Sequence, residues 1–450
     1  MKKFAKIFLC IFLLVLVVAC TPAAETEEVE EVQETEEVVE EEEEAEEEEE
    51  VVVEQQEVLI GALAPQTGGS AFIGTELIKG IEIAAEIVNE AGGVWKNDEG
   101  VGTKITLVKG DASDNQAAIS EAQRLIQQEH VVAIIDGHLS GNALVVSKVC
   151  EENDTIYIAT VSIMDPITQQ GYQNLYRVTV LASTFGKDAV QFVQEEVAPA
   201  LGIAVEDMKV AVIHEDSGYG SSVGAAAKQA VEDSPMQLVH YASFKSDTND
   251  LTGLIMKLKE VEPDAIVATQ YAHDGLLFWE QAESLGLEIP AMVGTGAIHS
   301  MYDWIEGTGG KGNYVFSYEL GNIDPTKLSE KGEALSIDFR TRYQEKYDTE
   351  PSSMSIIGFQ GAYTFYTEML DPAGSADNAA IHEAAAKVDI PEGDTIYGFG
   401  IKFDPDTHQN VLSQGCIHQW LDGKFVIVWP RKWADAEPVI PLPSWEEMQP

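Results

Sequence analysis

From Val58 onward the chain alternates short apolar runs with stretches of helical periodicity, and it does so twice over. Val58-Leu59-Ile60-Gly61-Ala62-Leu63 reads as a buried strand. Ile78, Ile81, Ala85 and Val88 then recur at three-to-four spacing, one face of a helix that ends at Gly92-Gly93. A strand over Lys104–Val108, a helix over Ala117–Gln128, a β-branched strand over Val131–Ile135, a helix from Gly141 to Cys150 and a strand over Thr155–Ala159 complete the first set. The second set places strands at 209–213, 237–242, 264–268 and 290–293, with helices over 221–232, 249–260 and 274–285. Repeated β-α-β units of this kind commit a chain to two parallel sheets wrapped by helices, with right-handed crossovers. The α/β body of about 390 residues exceeds one ordinary core, so two domains are expected.

The segment before this body is of a different kind. Lys2, Lys3 and Lys6 precede an apolar run from Ile7 to Val18. Leu16-Val17-Val18-Ala19-Cys20 then matches the lipobox of bacterial lipoproteins. The run is short for a bilayer span, and a small residue stands before the cysteine, so residues 1–19 are expected to be a signal peptide and Cys20 its lipid-bearing product. Two acyl chains give stable anchoring where one does not. Between Thr21 and Glu57 lie 20 glutamates and no lysine or arginine. Such a stretch buries too little surface to offset its ordering entropy, and residues 20–57 are expected to be a disordered tether. Fully extended, it would reach on the order of 100 Å.

Setting aside the three signal lysines and the 20 tether glutamates leaves 24 basic against 57 acidic residues in the rest of the chain. That balance repels phosphate backbones and argues against nucleic-acid binding. Cys10 leaves with the signal and Cys20 takes lipid, so Cys150 and Cys416 are the remaining thiols; they read as two buried small apolar residues, or as one bridge in an oxidising compartment. No CxxC or histidine spacing suggests a metal site, and no cofactor is implied.

Ligands of parallel α/β sheets sit at the carboxyl ends of the strands, against helix N-termini. In the first set the loops at that end are Pro65–Gly74, Asp136-Gly137-His138-Leu139-Ser140-Gly141 and Thr160-Val161-Ser162-Ile163. In the second set they are Glu215–Gly220, Thr269-Gln270-Tyr271-Ala272-His273-Asp274 and Gly294-Thr295-Gly296-Ala297. Glycine, serine, threonine and tyrosine dominate them, which is pocket chemistry for a small polar or amphipathic ligand.

At these loops the chain resembles the periplasmic substrate-binding proteins of branched-chain amino acid ABC transporters, the leucine/isoleucine/valine type. The stretches that carry the likeness are IGALAPQTGGSAFIGTELIKGIEIAAEIVNEAGG, DASDNQAAISEAQRLI, LGLEIPAMVGTG and HQWLDGKFVIVWP, and the likeness runs from about Val58 to Pro430. The resemblance implies a periplasmic binding protein type I fold: two doubly wound parallel-sheet lobes joined by a three-crossing hinge. It places the crossings near Val178–Ala182, Tyr314–Tyr318 and Gly398–Phe403, with lobe 1 as 58–180 plus 319–397 and lobe 2, with the tail, as 181–318 plus 398–450. It implies that Ser140, with Gly141, and then Ser162, with Thr160 behind it, hold a ligand carboxylate. Tyr219 and Tyr271 would face them from the other lobe, with Phe72 as the aromatic of the first loop. One departure stands out. Members that bind amino acids carry an acidic residue just after the "VG" strand to pair with the ligand ammonium, and here that position is Gly296. Either Asp274, Asp216 or another carboxylate takes over, or the ligand has no ammonium, because a buried ammonium without a counter-charge is costly.

The expected function is therefore that of a lipid-anchored extracytoplasmic protein which captures a small amino acid, carboxylate or amide by lobe closure and hands it to an ABC permease. A ligand-sensing receptor module of the same fold is the alternative; it would call for a membrane helix or signalling domain after the lobes, where this chain has Pro441-Leu442-Pro443-Ser444-Trp445. An enzyme is disfavoured: Gly137-His138-Leu139-Ser140-Gly141 has histidine where a hydrolase elbow needs glycine two residues before the serine.

Overall fold

The computed structural model describes residues 56–137 and 139–448. The expected signal peptide, Cys20 and nearly all of the acidic tether lie outside the described residues. Among the described residues, no helix is long and apolar enough to cross a membrane.

The first lobe begins with β1 (Glu57–Ala64), α1 (Ala71–Glu90), β2 (Lys104–Asp111), α2 (Asn115–Gln127), β3 (Ala133–Asp136), α3 (Ser140–Glu152), β4 (Ile156–Ala159) and β5 (Leu175–Arg177). The five strands form a parallel sheet in the order β2-β1-β3-β4-β5. Every residue of β3 and β4 is buried, which is why these runs are continuously apolar rather than alternating.

The chain then enters the second lobe through α4 (Ala182–Phe192) and the short α5 (Ala198–Leu201). There follow β6 (Lys209–Glu215), α6 (Gly218–Asp233), β7 (Gln237–Phe244), α7 (Thr252–Val261), β8 (Ala265–Thr269), α8 (Ala272–Ser284), β9 (Met292–Gly294), α9 (Tyr302–Gly307) and β10 (Phe316–Glu319). Next, α10 (Glu330–Tyr347), α11 (Ser353–Thr364) and α13 (Asn378–Ala385) carry residues of the first lobe's core, and α12 (Asp371–Ala373) packs against it through Ala373. A two-residue-wide ribbon, β11 (Asp389–Ile390) with β12 (Ile401–Lys402), closes that return. The last strands, β13 (Cys416–Leu421) and β14 (Lys424–Trp429), join the second sheet, whose order is β14-β13-β10-β9-β8-β6-β7.

The parallel expectation holds for β6–β10, whereas β13 and β14 enter antiparallel. Between β13 and β14 the cause is local: only Asp422 and Gly423 separate these strands, both at positive φ (50° and 73°), and a two-residue hairpin of that geometry can join only antiparallel neighbours.

The core of the first lobe includes a close contact between α1 and α11. A Cβ at Gly80 would lie 2.0 Å from the Ser355 carbonyl oxygen, and one at Gly358 would lie 2.4 Å from that of Leu77. The two helices therefore touch backbone to backbone, with a glycine from each at the contact.

The first crossing follows β5 and the second follows β10; the third lies between Phe403, still in the first core, and β13. The first and third are laced together. The Arg177 N–H donates to His408 O (3.1 Å), Asn410 N–H donates to Arg177 O (2.9 Å), and the Asn410 and Gln409 side-chain amides donate to Val178 O (2.9 Å) and Thr179 O (2.7 Å). Arg177 itself is fully buried. Its guanidinium donates to Gln409 Oε1 (2.5 Å), Met164 O (2.8 Å), Ser162 O (3.3 Å) and Thr168 Oγ1 (2.9 Å). One side chain thus ties the hinge to the loop that follows β4. Cys150 and Cys416 are both buried free thiols.

Candidate functional site

The carboxyl ends of the strands of both sheets open onto one cavity of about 760 Å³. From the first lobe it is lined by Phe72 at the start of α1, Ser140 at the start of α3, Val161 and Ile163 after β4, and Ser352 to Met354 at the start of α11. From the second lobe come Phe185, Tyr219, Tyr271, Thr295 to Ala297, Tyr302 and Glu319. The volume suits a small ligand, and the lining mixes aromatic walls with a few polar groups.

The helix starts at this cavity are not alike. Ser217 caps α6 by accepting from Gly220 N–H, and Ser352 caps α11 by accepting from Ser355 N–H. At α3 the capping position is Leu139, which offers no side-chain acceptor. Among the described residues, no side chain caps the first turn of α3, as none caps that of α1 at Ser70 or of α8 at Tyr271, so the positive end of α3 meets the cavity wall at Ser140 without a side-chain cap. Ser140 Oγ itself makes a long contact with Met164 N–H (3.4 Å). A helix start of this kind offers donors and partial positive charge that suit an anion.

The sequence-expected residues divide into two groups. Phe72, Ser140, Tyr219 and Tyr271 all reach the cavity, and Gly141 lines an adjoining crevice with Ser140, Tyr219 and Tyr271. Tyr219 is held in place by donating its hydroxyl to Thr295 O, and its ring lies 5.4 Å from that of Tyr271. Thr160, Ser162 and Asp274 sit behind the wall. Thr160 donates to Asp136 O (2.9 Å), and Ser162 Oγ, between the cavity-lining Val161 and Ile163, is buried with no partner among the described residues. Asp274, in the first turn of α8, is fully buried, and among the described residues its carboxylate oxygens have no hydrogen-bond partner of good geometry. Burial pushes its carboxyl up to about 7, with the charges of Glu215 and Asp216 adding to the rise and the backbone of Asp274 and Tyr271 opposing it.

Beneath the α3 end of the site lies Asp136, the last residue of β3, which accepts from the Tyr157 hydroxyl. Complete burial raises its carboxyl to about 7, against the lowering by Tyr157 and the Gly137 N–H.

Sequence reasoning missed Glu319. It ends β10 and is 4 % exposed; Oε1 accepts from Leu320 N–H (2.8 Å) and Oε2 from Ser300 Oγ (2.8 Å). Burial raises its carboxyl pKa, against those two hydrogen bonds. The signal was faint, since a glutamate closing a strand at a lobe crossing looks like an ordinary solvated end. Among the described residues, no cluster of histidine, cysteine and acidic side chains is placed to hold a metal ion.

Comparison with known proteins identifies the family of the chain. The family model described as periplasmic binding protein matches residues 57–423. The Leu/Ile/Val-binding protein homolog 7 of Brucella abortus is 34 % identical over 388 residues, covering 86 % of this chain and 94 % of that protein. Among solved structures, the branched-chain amino acid transporter substrate binding protein of Streptococcus pneumoniae, in complex with isoleucine, has a TM-score of 0.68 at 22 % identity, covering 86 % of this chain and all of that one. An ABC transporter solute binding protein of R. palustris, in complex with benzoate, has a TM-score of 0.67 at 18 % identity, covering 85 % of this chain and 98 % of that one. The relatives named are binding proteins, not enzymes. The chain belongs to the periplasmic binding protein family.

Proposed function

We propose that this family member is an extracytoplasmic solute-binding protein of an ABC importer, held to a membrane by lipid on Cys20 and carried on its acidic tether. The solute is a small organic carboxylate, amino acids included. The observation that supports this reading is the uncapped start of α3 with Ser140 at the wall of a cavity that both lobes line. A carboxylate there gains charge-assisted hydrogen bonds from N–H and hydroxyl donors. No bond chemistry is needed. Contacts made by both lobes stabilise a closed arrangement over an open one, and the closed form is what a permease reads. The named relatives bind amino acids or benzoate, and the shared element of those ligands is a carboxylate.

A thermal-shift panel of amino acids, aliphatic and aromatic carboxylates, amides and urea tests this on the full chain. A ligand at about 100 times its dissociation constant adds about 2.7 kcal/mol, which raises the melting midpoint of a body this size by about 3 °C. Ser140→Ala is expected to weaken the best ligand by about 1–3 kcal/mol. A panel without a single shift would refute the solute-binding reading, and an unchanged affinity in Ser140→Ala would remove that residue from the site.

A further inference from the structure

The position that carries no acid in the sequence has one in space. Gly296 follows β9 at φ +88°, a backbone state that disfavours any side chain. A Cβ built there would lie 3.4 Å from Glu319 Oε2, 3.3 Å from the Phe185 ring and 3.5 Å from Tyr318 O. An acidic side chain at 296 would run into ground that a carboxylate from β10 already occupies. Glu319 lines the cavity, and so do Glu76, Asp303 and Glu350. Glu76 is paired with Lys79 at 2.6 Å, while Asp303 and Glu350 are exposed. Among the described residues, Glu319 is the one lining carboxylate that is buried and makes no ion pair with lysine, arginine or histidine. A buried carboxylate with only two neutral donors has a strong preference for a cation at its remaining lone pairs.

We propose that Glu319 is the specificity-determining residue that receives the ligand's ammonium group, so that the solute is an α-amino acid rather than a simple carboxylate. The proposal rests on the carboxylate reading above, in which the α3 start receives the other charge of the zwitterion from the facing lobe. Ser300 and the Leu320 N–H hold the carboxylate in place, so little side-chain freedom is lost on binding. Phe185 beside it shields the pair from water, which strengthens the attraction.

The test is calorimetric titration of the full chain, wild type and Glu319→Gln, with the twenty amino acids and with counterparts that lack the amine: 4-methylpentanoate for leucine, 3-methylbutanoate for valine and 3-phenylpropanoate for phenylalanine. The expected result is an amino acid that the wild type prefers over its deaminated counterpart by at least about tenfold, the difference a charged hydrogen bond makes. Glu319→Gln should abolish that preference, and Glu319→Asp, which keeps the charge, should retain part of it. If Glu319→Gln does not fold, the wild-type preference and the Glu319→Asp result decide. A preference unchanged in Glu319→Gln would show that Glu319 merely ties the loop to Ser300, and the proposal would fall. Binding of the deaminated compounds alone would also overturn it, while leaving the carboxylate reading in place. Binding of neither set would overturn both.

Discussion

Arg177 offers the sharpest test of how the hinge and the site are coupled. Burial lowers its pKa to about 10, opposed by the charge of Asp165, so the guanidinium stays charged at neutral pH. Replacing it with methionine keeps apolar bulk but removes all four side-chain hydrogen bonds. Met164 O retains a second donor in Ile167 N–H (3.1 Å), and the Thr168 hydroxyl can rotate. Gln409 Oε1 and Ser162 O are left stranded in the interior. Two buried acceptors without partners cost about 1–3 kcal/mol each, and relief from burying a charge offsets part of that. The expected net loss is about 3 kcal/mol, which corresponds to a urea midpoint about 1 M lower at a slope of about 3 kcal/mol/M. Circular dichroism during urea unfolding at neutral pH reads this directly. A midpoint within about 0.2 M of wild type would mean that the guanidinium network contributes nothing net, and the argument for Arg177 as the tie would fail.

Other consequences follow from the same geometry. Asp136 has an unperturbed value of 3.8 and a folded value of about 7, so between those pH values the folded chain holds a proton that the unfolded chain has lost. Its contribution is complete below about pH 4 and disappears as pH rises to about 7, a change of about 4 kcal/mol. Asp136→Asn removes that dependence and should gain stability relative to wild type between pH 4 and pH 8; parallel pH profiles for the two proteins would refute it. Gly80→Ala forces a methyl against the Ser355 carbonyl and should destabilise by about 1–3 kcal/mol through separation of α1 from α11, read as a lower melting midpoint. An unchanged midpoint would show that the two helices are not in the contact described.

The parts of this molecule that were legible in the sequence are those whose signal is local. The β-branched run ending β3 announces a strand buried on both faces, and the spacing of Ile78, Ile81, Ala85 and Val88 marks the inner face of α1. Ser140 was legible because strand end, loop and helix start adjoin within a few residues, and the fold then brings it to the cavity. The Asp422-Gly423 pair is itself a hairpin signal, but the antiparallel seat of β13 beside β10 is set by strand pairing that no local run announces. Glu319 was illegible for a different reason. Its partner position, Gly296, lies 23 residues away in the loop just after β9, and only strand pairing brings β10 beside β9. Arg177 likewise reads as a surface residue until the third crossing covers it with Gln409 and Asn410.

Two lobes holding one solute is the claim on which the account stands. Hydrogen–deuterium exchange of the full chain, free and saturated with the compound that most raises the melting midpoint, tests it most directly. Added protection is expected together at 139–142 and 161–164 in the first lobe and at 217–220 and 295–300 in the second. Protection confined to one lobe, or absent from both at saturation, would contradict closure around a shared ligand.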